Sequence, residues 1–386
     1  MTRYRPRAGG GLRIGGVALA VMLAAAACTD GAGDGADRTP SAAGPEVTAA
    51  EVVGVEARAA HTATGLADGS VLVAGGCVVD GCGRATTSAF LLRDDGDVEV
   101  APMTSARDAH TATLLAGGEV LVTGGFSAEG RPPLAGAETY DPATGAWAAT
   151  EPMRVGRGGH AAARLGDGRV VVVGGWVGPR QYTATTEVFD PGVGRFEPGP
   201  PLPEAVGALA AVSLADGAVL VTGGQTGPEA ASATAVVVSP DGTLRRVGSL
   251  EQARFKHTMV ALPDGRVLVI GGTSTDEDLL ASTEVYDPAT GRFTAGPTMS
   301  SGRYKLTGSA ALLPDGRVVV AGGGPGIEVI DVTRGTSTPV PGVGTARASF
   351  STASVVGPQV RVVGGYDGRI RLTHTDLTIP LASLGP

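Results

Sequence analysis

Across residues 46–386 the chain cycles through one pattern of apolar and polar positions. A short stretch of small and hydroxyl residues comes first, as in His110-Thr111-Ala112-Thr113. A tight polar turn follows, seen in Gly166-Asp167-Gly168-Arg169 and Pro314-Asp315-Gly316-Arg317. Asp-Gly between two apolar runs predicts a hairpin, because the turn requires positive φ. The next run is β-branched and stops at a glycine pair, as in Val267-Leu268-Val269-Ile270-Gly271-Gly272. After a loop of variable length, a third strand is predicted to end in a turn, as in Glu284-Val285-Tyr286-Asp287-Pro288-Ala289-Thr290-Gly291. A fourth strand opens on an aromatic residue in three units, at Trp147, Phe196 and Phe293.

The glycine pairs begin at Gly75, Gly124, Gly174, Gly223, Gly271, Gly322 and Gly364, spaced 49, 50, 49, 48, 51 and 42 residues apart. Seven units therefore fill residues 46–386 and leave no room for a separate catalytic domain. Four short antiparallel strands repeated radially predict an all-β fold, a seven-bladed β-propeller of four-stranded blades. The segment Val47–Val55 aligns with the fourth-strand segment before Arg157 and is expected to close the ring as the outer strand of blade seven. Leu377–Leu381 competes for the same place. Arg-x-x-His, Asp-Gly-Arg-Val, Gly-Gly, Tyr-Asp-Pro and then Trp together resemble the kelch repeat. Units two, three and five carry it best. Unit four departs from it, with Glu204 and Gly207 in place of Arg and His, and so does unit seven, with Gly357-Pro358 in place of Asp-Gly.

The first residues follow a different pattern. Arg3, Arg5, Arg7 and Arg13 precede an uncharged run from Ile14 to Ala27, too short to span a bilayer comfortably and suited to a secretory leader over residues 1–27. The run ends in small residues directly before Cys28, which resembles a bacterial lipobox, although Ala25 stands where Leu is usual. That resemblance implies diacylation of Cys28; ordinary cleavage at an Ala-x-Ala site is the alternative. Residues 28–45, rich in Gly, Ala, Ser, Asp and Thr, read as a flexible tether. The expectation is an extracytoplasmic domain held at the cell membrane by lipid, or secreted if the lipobox is unused.

Composition adds exclusions rather than an activity. Net charge is −8 at pH 7, and −12 once the four leader arginines are gone. An acidic chain of this kind is not expected to bind nucleic acid, which calls for a basic stripe. Four of five histidines, His61, His110, His160 and His257, share one repeat slot, so each falls on its own blade and none gathers at a metal. Cys77 and Cys82 sit five apart in one loop and are expected to form a local disulfide in an oxidising compartment. Galactose oxidase has a similar propeller, but its copper site needs two Tyr, two His and a Cys crosslinked to one Tyr. No Tyr-His neighbour pair is present here, nor is a Gly-x-Ser-x-Gly elbow. No metal or cofactor is expected.

Strand parity sorts the loops onto two faces. One carries the repeated Asp-Gly and Asp-Pro turns. The other carries the irregular loops and the recurring Arg58, Arg107, Arg157, Arg254, Arg303 and Arg347, together with the only two lysines, Lys256 and Lys305. Phe126, Trp176, Tyr182, Phe255, Tyr304, Phe350 and Tyr366 map there too. Arginine mixed with aromatic rings is typical of binding hot spots, while a recurring Arg can equally serve as a hydrogen-bond donor between blades. The leading expectation is a monomeric, non-enzymatic propeller that binds a protein or an acidic envelope glycan through this face. The rivals are a carbohydrate-active enzyme, resembling sialic-acid epimerases built on kelch propellers and using Glu204, and a purely structural envelope protein.

Overall fold

The β-branched runs before the glycine pairs form the second strands of seven antiparallel sheets. This computed structural model describes residues 56–275, 278–342, 348–373 and 375–385. In blade five the strands Thr258–Ala261, Val267–Ile270, Thr283–Asp287 and Arg292–Ala295 pair in sequence order. The same order recurs in all of the first six blades.

The second strands are apolar throughout because each serves two interfaces. Successive side chains on a strand point to opposite faces. In blade three, Val170 and Val172 pack with Leu121 of blade two, while Val171 and Val173 pack with Val219 and Val221 of blade four. Radial stacking of blades thus converts the usual alternation into a continuous hydrophobic run. The aromatic that opens the fourth strand packs on one from the third: Tyr140 with Trp147, Phe189 with Phe196, and Tyr286 with Phe293, at centroid distances of 4.9–5.0 Å.

Blade seven shows three strands among the described residues, Thr352–Val356, Gln359–Val363 and Asp376–Pro380. The last corrects the expectation for Leu377–Leu381. That segment is not a fourth strand, because Asp376–Pro380 pairs directly with Gln359–Val363 and so occupies the third place. Residues 47–55, the leader and Cys28 lie outside the described residues.

Blade seven nevertheless meets blade one directly. Val363 and Val356 pack with Val71 and Val73, the Gly365 amide donates to the Arg58 carbonyl (2.7 Å), and Arg361 pairs with Asp97 at 2.9 Å. No helix among the described residues is long and apolar enough to cross a membrane.

Candidate functional site

The recurring arginines do not form a contact surface. Arg58, Arg107, Arg157, Arg254 and Arg303 are at most 1% exposed. Each guanidinium turns inward onto the carbonyl of the first residue of its own glycine pair: Arg157 to Gly174 at 2.8 Å, Arg254 to Gly271 at 2.7 Å. Four of them also meet a buried carboxylate on the third strand, Arg107 with Glu138, Arg157 with Glu187, Arg254 with Glu284 and Arg303 with Glu328, at 2.7–2.9 Å. Arg58 instead lies over the Phe90 ring, 4.8 Å from its centroid, and burial pushes its pKa down to about 10. Burial likewise draws Arg107, Arg157 and Arg254 below the usual arginine value, against the pull of the facing glutamates.

Strand parity assigned these residues to the loop face, and the glycine pair explains why that assignment fails for their side chains. Its left-handed backbone, with Gly174 at φ 61° and Gly271 at φ 57°, lies against the next blade. A Cβ on Gly271 would come 2.7 Å from the Arg303 carbonyl oxygen. Arg347 lies outside the described residues, and Ala348 takes the arginine's place in blade seven, its carbonyl accepting from the Gly323 amide at 3.0 Å. Glu204 is displaced in the same way: Val206 occupies the arginine slot of blade four, its carbonyl accepting from Gly175 at 2.8 Å. The Glu204 carboxylate accepts from Ser232 at 2.5 Å and from Thr234.

The histidines bind between blades. His61 Nε2 bonds Thr352 of blade seven (2.8 Å), His110 bonds Thr62 of blade one (3.1 Å), His160 bonds Thr111 and Thr123 of blade two (3.0 and 2.9 Å), and His257 bonds Thr222 of blade four (2.8 Å). Burial holds all four rings neutral, drawing His110 and His257 down to about 3 and His61 and His160 well below the usual imidazole value. Leu209 and Leu306 fill this slot in blades four and six.

One residue before the histidine slot, the backbone turns left-handed at Ala60, Ala109, Gly159, Ala208, Lys256, Lys305 and Phe350, with φ between 47° and 59°. Amides at or next to these positions donate to the preceding blade, and the bonds run around the whole ring, closing with Ala60 to the Phe350 carbonyl at 3.2 Å. This is the rim of a central channel with a cavity of about 340 Å³, walled by residues that include His61, His160, Trp176, Lys256, Thr258 and Phe350. Holding an L side chain left-handed costs about 1 kcal/mol or more, a cost that Ala60, Ala109 and Ala208 share with Lys256, Lys305 and Phe350, so side-chain length alone sets blades five to seven apart from blades one to four.

These side chains interleave with rings. Lys256 Nζ lies 5.1 Å from the Phe255 centroid and 5.9 Å from that of Tyr304; Lys305 Nζ lies 5.0 Å from Tyr304 and 5.4 Å from Phe350. Lys256, Lys305, Tyr304 and Phe350 are half-buried, whereas Phe255 is fully buried beneath them.

The other aromatic residues of the expected face turn out to follow the repeat. Phe126, Trp176 and Tyr366 each come directly after a glycine pair, the position of Cys77 in blade one. A Cβ on Gly158 would strike the Phe126 ring, and one on Gly159 the Trp176 ring, so the half-buried rings fill space vacated by glycine in the next blade. Tyr182 and Trp176 close over Gly207, 3.0 and 3.2 Å from where its Cβ would stand. Tyr366 is buried beside Cys77 and Cys82, which form a disulfide with Cα atoms 5.1 Å apart. Of the residues expected to make the face, Lys256, Phe350 and Trp176 line the channel, with Lys305 at the left-handed position of blade six and Tyr304 between the two lysines; the five described arginines, Phe255 and Tyr366 are interior.

Asp108, like the four glutamates that meet the arginines, is a buried carboxylate that the sequence did not single out. It is within 4.8 Å of both sulfurs, and burial raises its pKa to about 7.

A family model for the kelch motif matches residues 157–203 and 257–300, which lie in blades three and five. No curated protein matches the chain. Among solved structures, one titled "Structure of YjhT" is similar at a TM-score of 0.53 and 16% identity, over 62% of this chain and 84% of that one. A fungal alcohol oxidase of the AA5 family, described as in complex with copper, is similar at a TM-score of 0.49 and 16% identity, over 86% of this chain and 92% of that one. The recurring Arg and His slots, the glycine pairs and the two motif matches agree with the seven blades seen here: the chain is a seven-bladed β-propeller that carries kelch motifs in blades three and five.

Proposed function

We propose that this propeller is an exported, lipid-anchored binding module, which engages an acidic envelope glycan or an acidic protein segment at the channel rim of blades five to seven. The observation that carries this reading is the interleaved series Phe255, Lys256, Tyr304, Lys305 and Phe350. An acidic chain places its only two lysines on adjacent blades, at a left-handed position where three other blades carry alanine and one carries glycine, and sets them among rings. Ammonium groups held on aromatic faces suit carboxylates and the apolar faces of sugars.

The channel wall adds no carboxylate among the described residues. Glu204 does not line the channel, which leaves the catalytic rival without the residue it named.

Replacing both lysines by glycine tests the reading, because glycine accepts the left-handed backbone and removes only the side chains. Retention of the protein on isolated envelope fragments should fall at least tenfold in the double variant, with folding intact. Unchanged retention would refute the assignment of this rim.

A further inference from the structure

We propose that the Cys77–Cys82 disulfide is a redox-active centre that exchanges with dithiols, with Cys82 as the attacked sulfur and Asp108 as the proton donor to Cys77.

The two sulfurs differ in access. Cys77 follows the glycine pair of blade one, is fully buried, and bridges through its backbone to Ala59 and Ala85. Cys82 is half-buried between the exposed Gly81 and Gly83. A thiol arriving from solvent therefore reaches Cys82 first. Gly81 and Cys82 are both left-handed, at φ 73° and 64°, a conformation that glycine accepts and cysteine disfavours. Reduction frees Cys82 to leave it.

Asp108 approaches from blade two, where it bridges to Phe126. Its carboxylate lies within 4.8 Å of both sulfurs, within reach of proton transfer through one water. The buried glutamates of the third strands each meet an arginine. Asp108 is as well buried, at 5% exposed, yet its side chain has no hydrogen bond or ion pair among the described residues. A buried carboxylate without a partner calls for a role. Burial alone raises its pKa to about 7, so the acid form is present at neutral pH. Arg107 beside it turns away to Glu138. Tyr366 of blade seven packs on Cys77, and the Cys82 amide approaches its buried hydroxyl without completing a hydrogen bond. Burial and the charges of Asp108 and Asp80 push that phenol up, so it stays neutral. Asp80 and Arg84 lie on the exposed loop itself.

The exchange follows from this placement. An incoming thiolate bonds to Cys82 Sγ, the S–S bond breaks, and its electron pair passes to Cys77 Sγ. A thiolate left there would be an unpaired buried charge. The Asp108 acid gives it a proton, a downhill transfer because a buried thiol titrates above its ordinary value of about 8.5. The second thiol of the reductant loses its proton to water and attacks the reductant sulfur bonded to Cys82. That closes the reductant's own disulfide and releases Cys82 as thiolate; water then reprotonates Cys82 and Asp108. The dithiol is oxidised and the protein disulfide reduced. Reduction also loosens a loop tied to blade seven through Gly81 to Ile370 and Asp80 to Leu372.

The purified full chain, carrying Cys28→Ser, tests this by reduction with dithiothreitol from pH 6 to 9, read by alkylation and mass spectrometry. The rate constant per thiolate should be level below about pH 7 and fall about tenfold per unit above it, as the acid form of Asp108 is lost. Asp108→Asn should lower the rate at pH 6 at least tenfold and remove the pH dependence. It should not lower the melting temperature, because it removes a buried group that has no partner. The single thiol of Cys77→Ser should react with an aromatic disulfide at least tenfold faster than that of Cys82→Ser.

A disulfide that dithiothreitol reduces only when the chain unfolds would overturn the proposal. So would a rate per thiolate that does not change with pH, which is read on the natural Asp108 and needs no variant to fold, or an Asp108→Asn chain that keeps the rate and its pH dependence. Faster reaction of Cys77 would overturn the assignment of the attacked sulfur.

Discussion

The buried Arg-Glu pairs make a quantitative prediction, because blade four shows what replaces them. There the two slots hold Val206 and Val236, 3% and 1% exposed. In blade five Arg254 and Glu284 meet at 2.7 Å, and neither is more than 3% exposed. Arg254→Val would leave the Glu284 carboxylate with only the Glu251 and Gln252 amides, at 2.8 and 3.2 Å. Glu284→Val would leave a buried guanidinium facing the Gly271 and Ser282 carbonyls and the Ser282 hydroxyl, at 2.7 and 3.2 Å for the two carbonyls. Removing one partner of a buried pair costs about 3–5 kcal/mol, so two independent losses would total about 8 kcal/mol.

The double replacement leaves no buried charge. What remains is two amides and three carbonyls, those of Gln252, Gly271 and Ser282, without their side-chain partners, at about 1 kcal/mol each when the site relaxes or admits water, or about 5 kcal/mol. Equilibrium denaturation in guanidinium of the parent, both single variants and the double variant closes the cycle. The expected coupling is about 3 kcal/mol, favouring the pair. A double variant whose loss equals the sum of the singles within about 0.5 kcal/mol would refute the argument that charge complementarity, rather than space filling, explains the recurrence of these residues.

Other perturbations read other parts of the ring. The four interblade histidines have folded pKa values below the unfolded value of about 6.5. Stability is therefore full above that pH and falls as acid protonates the unfolded chain first, by up to about 1.4 kcal/mol per pH unit for each histidine, until the folded values, about 3 for His110 and His257, are reached. Denaturation midpoints at pH 7, 6 and 5 should show this slope, and His257→Leu, the residue type already present at Leu209 and Leu306, should flatten it; an unchanged slope would count against neutral burial. Breaking the Cys77–Cys82 loop should cost about 2 kcal/mol by loop-closure entropy and speed hydrogen exchange at the Gly81 and Leu372 amides, which bond across to Ile370 and Asp80. Exchange unchanged at those two amides would separate the disulfide from the contact between blades one and seven. Gly271→Ala should cost more than 2 kcal/mol, because the new methyl meets the Arg303 carbonyl, while Gly291→Ala, equally left-handed but with nothing within 4 Å, should cost about 1 kcal/mol; equal losses would remove the close interblade approach as a cause.

Periodicity was enough for the blade count and strand order, because each glycine pair and Asp-Gly turn imposes its own local geometry. The direction of the arginine side chains was not legible in the same way. Parity places Arg157 at the loop end of its strand, but its orientation depends on the Gly174 carbonyl, the Thr185 hydroxyl and Glu187, 17 to 30 residues away. One sequence signal was available: Glu138, Glu187, Glu284 and Glu328 recur at the second position of the third strands, and a carboxylate repeated at a buried position requires a repeated cation. Register was the other weakness. Blade seven has one extra residue between Arg347 and Phe350, so the chain's arginine and the structural slot, Ala348, are one position apart. In blade four the same kind of slip makes Glu204 look like a substitute for arginine, although Val206 holds that place.

Repetition itself decides which residues can be given a function. A residue type that recurs at one slot meets the same partners in each blade, as the guanidinium, carboxylate and glycine carbonyl do, and those partners consume its bonding capacity. Phe126, Trp176 and Tyr366 share a slot in this sense, but only Trp176 borders the channel, because Gly159 and Gly207 leave room for it to lean there. Lys256 and Lys305 differ from both cases. Their slot is defined by the backbone alone, through its left-handed turn and the ring of amide bonds, and it asks nothing of the side chain that alanine or glycine cannot supply. A long, charged side chain there is not required by the ring, which is why the proposal of a binding site is placed at the channel rim and not on the arginine series.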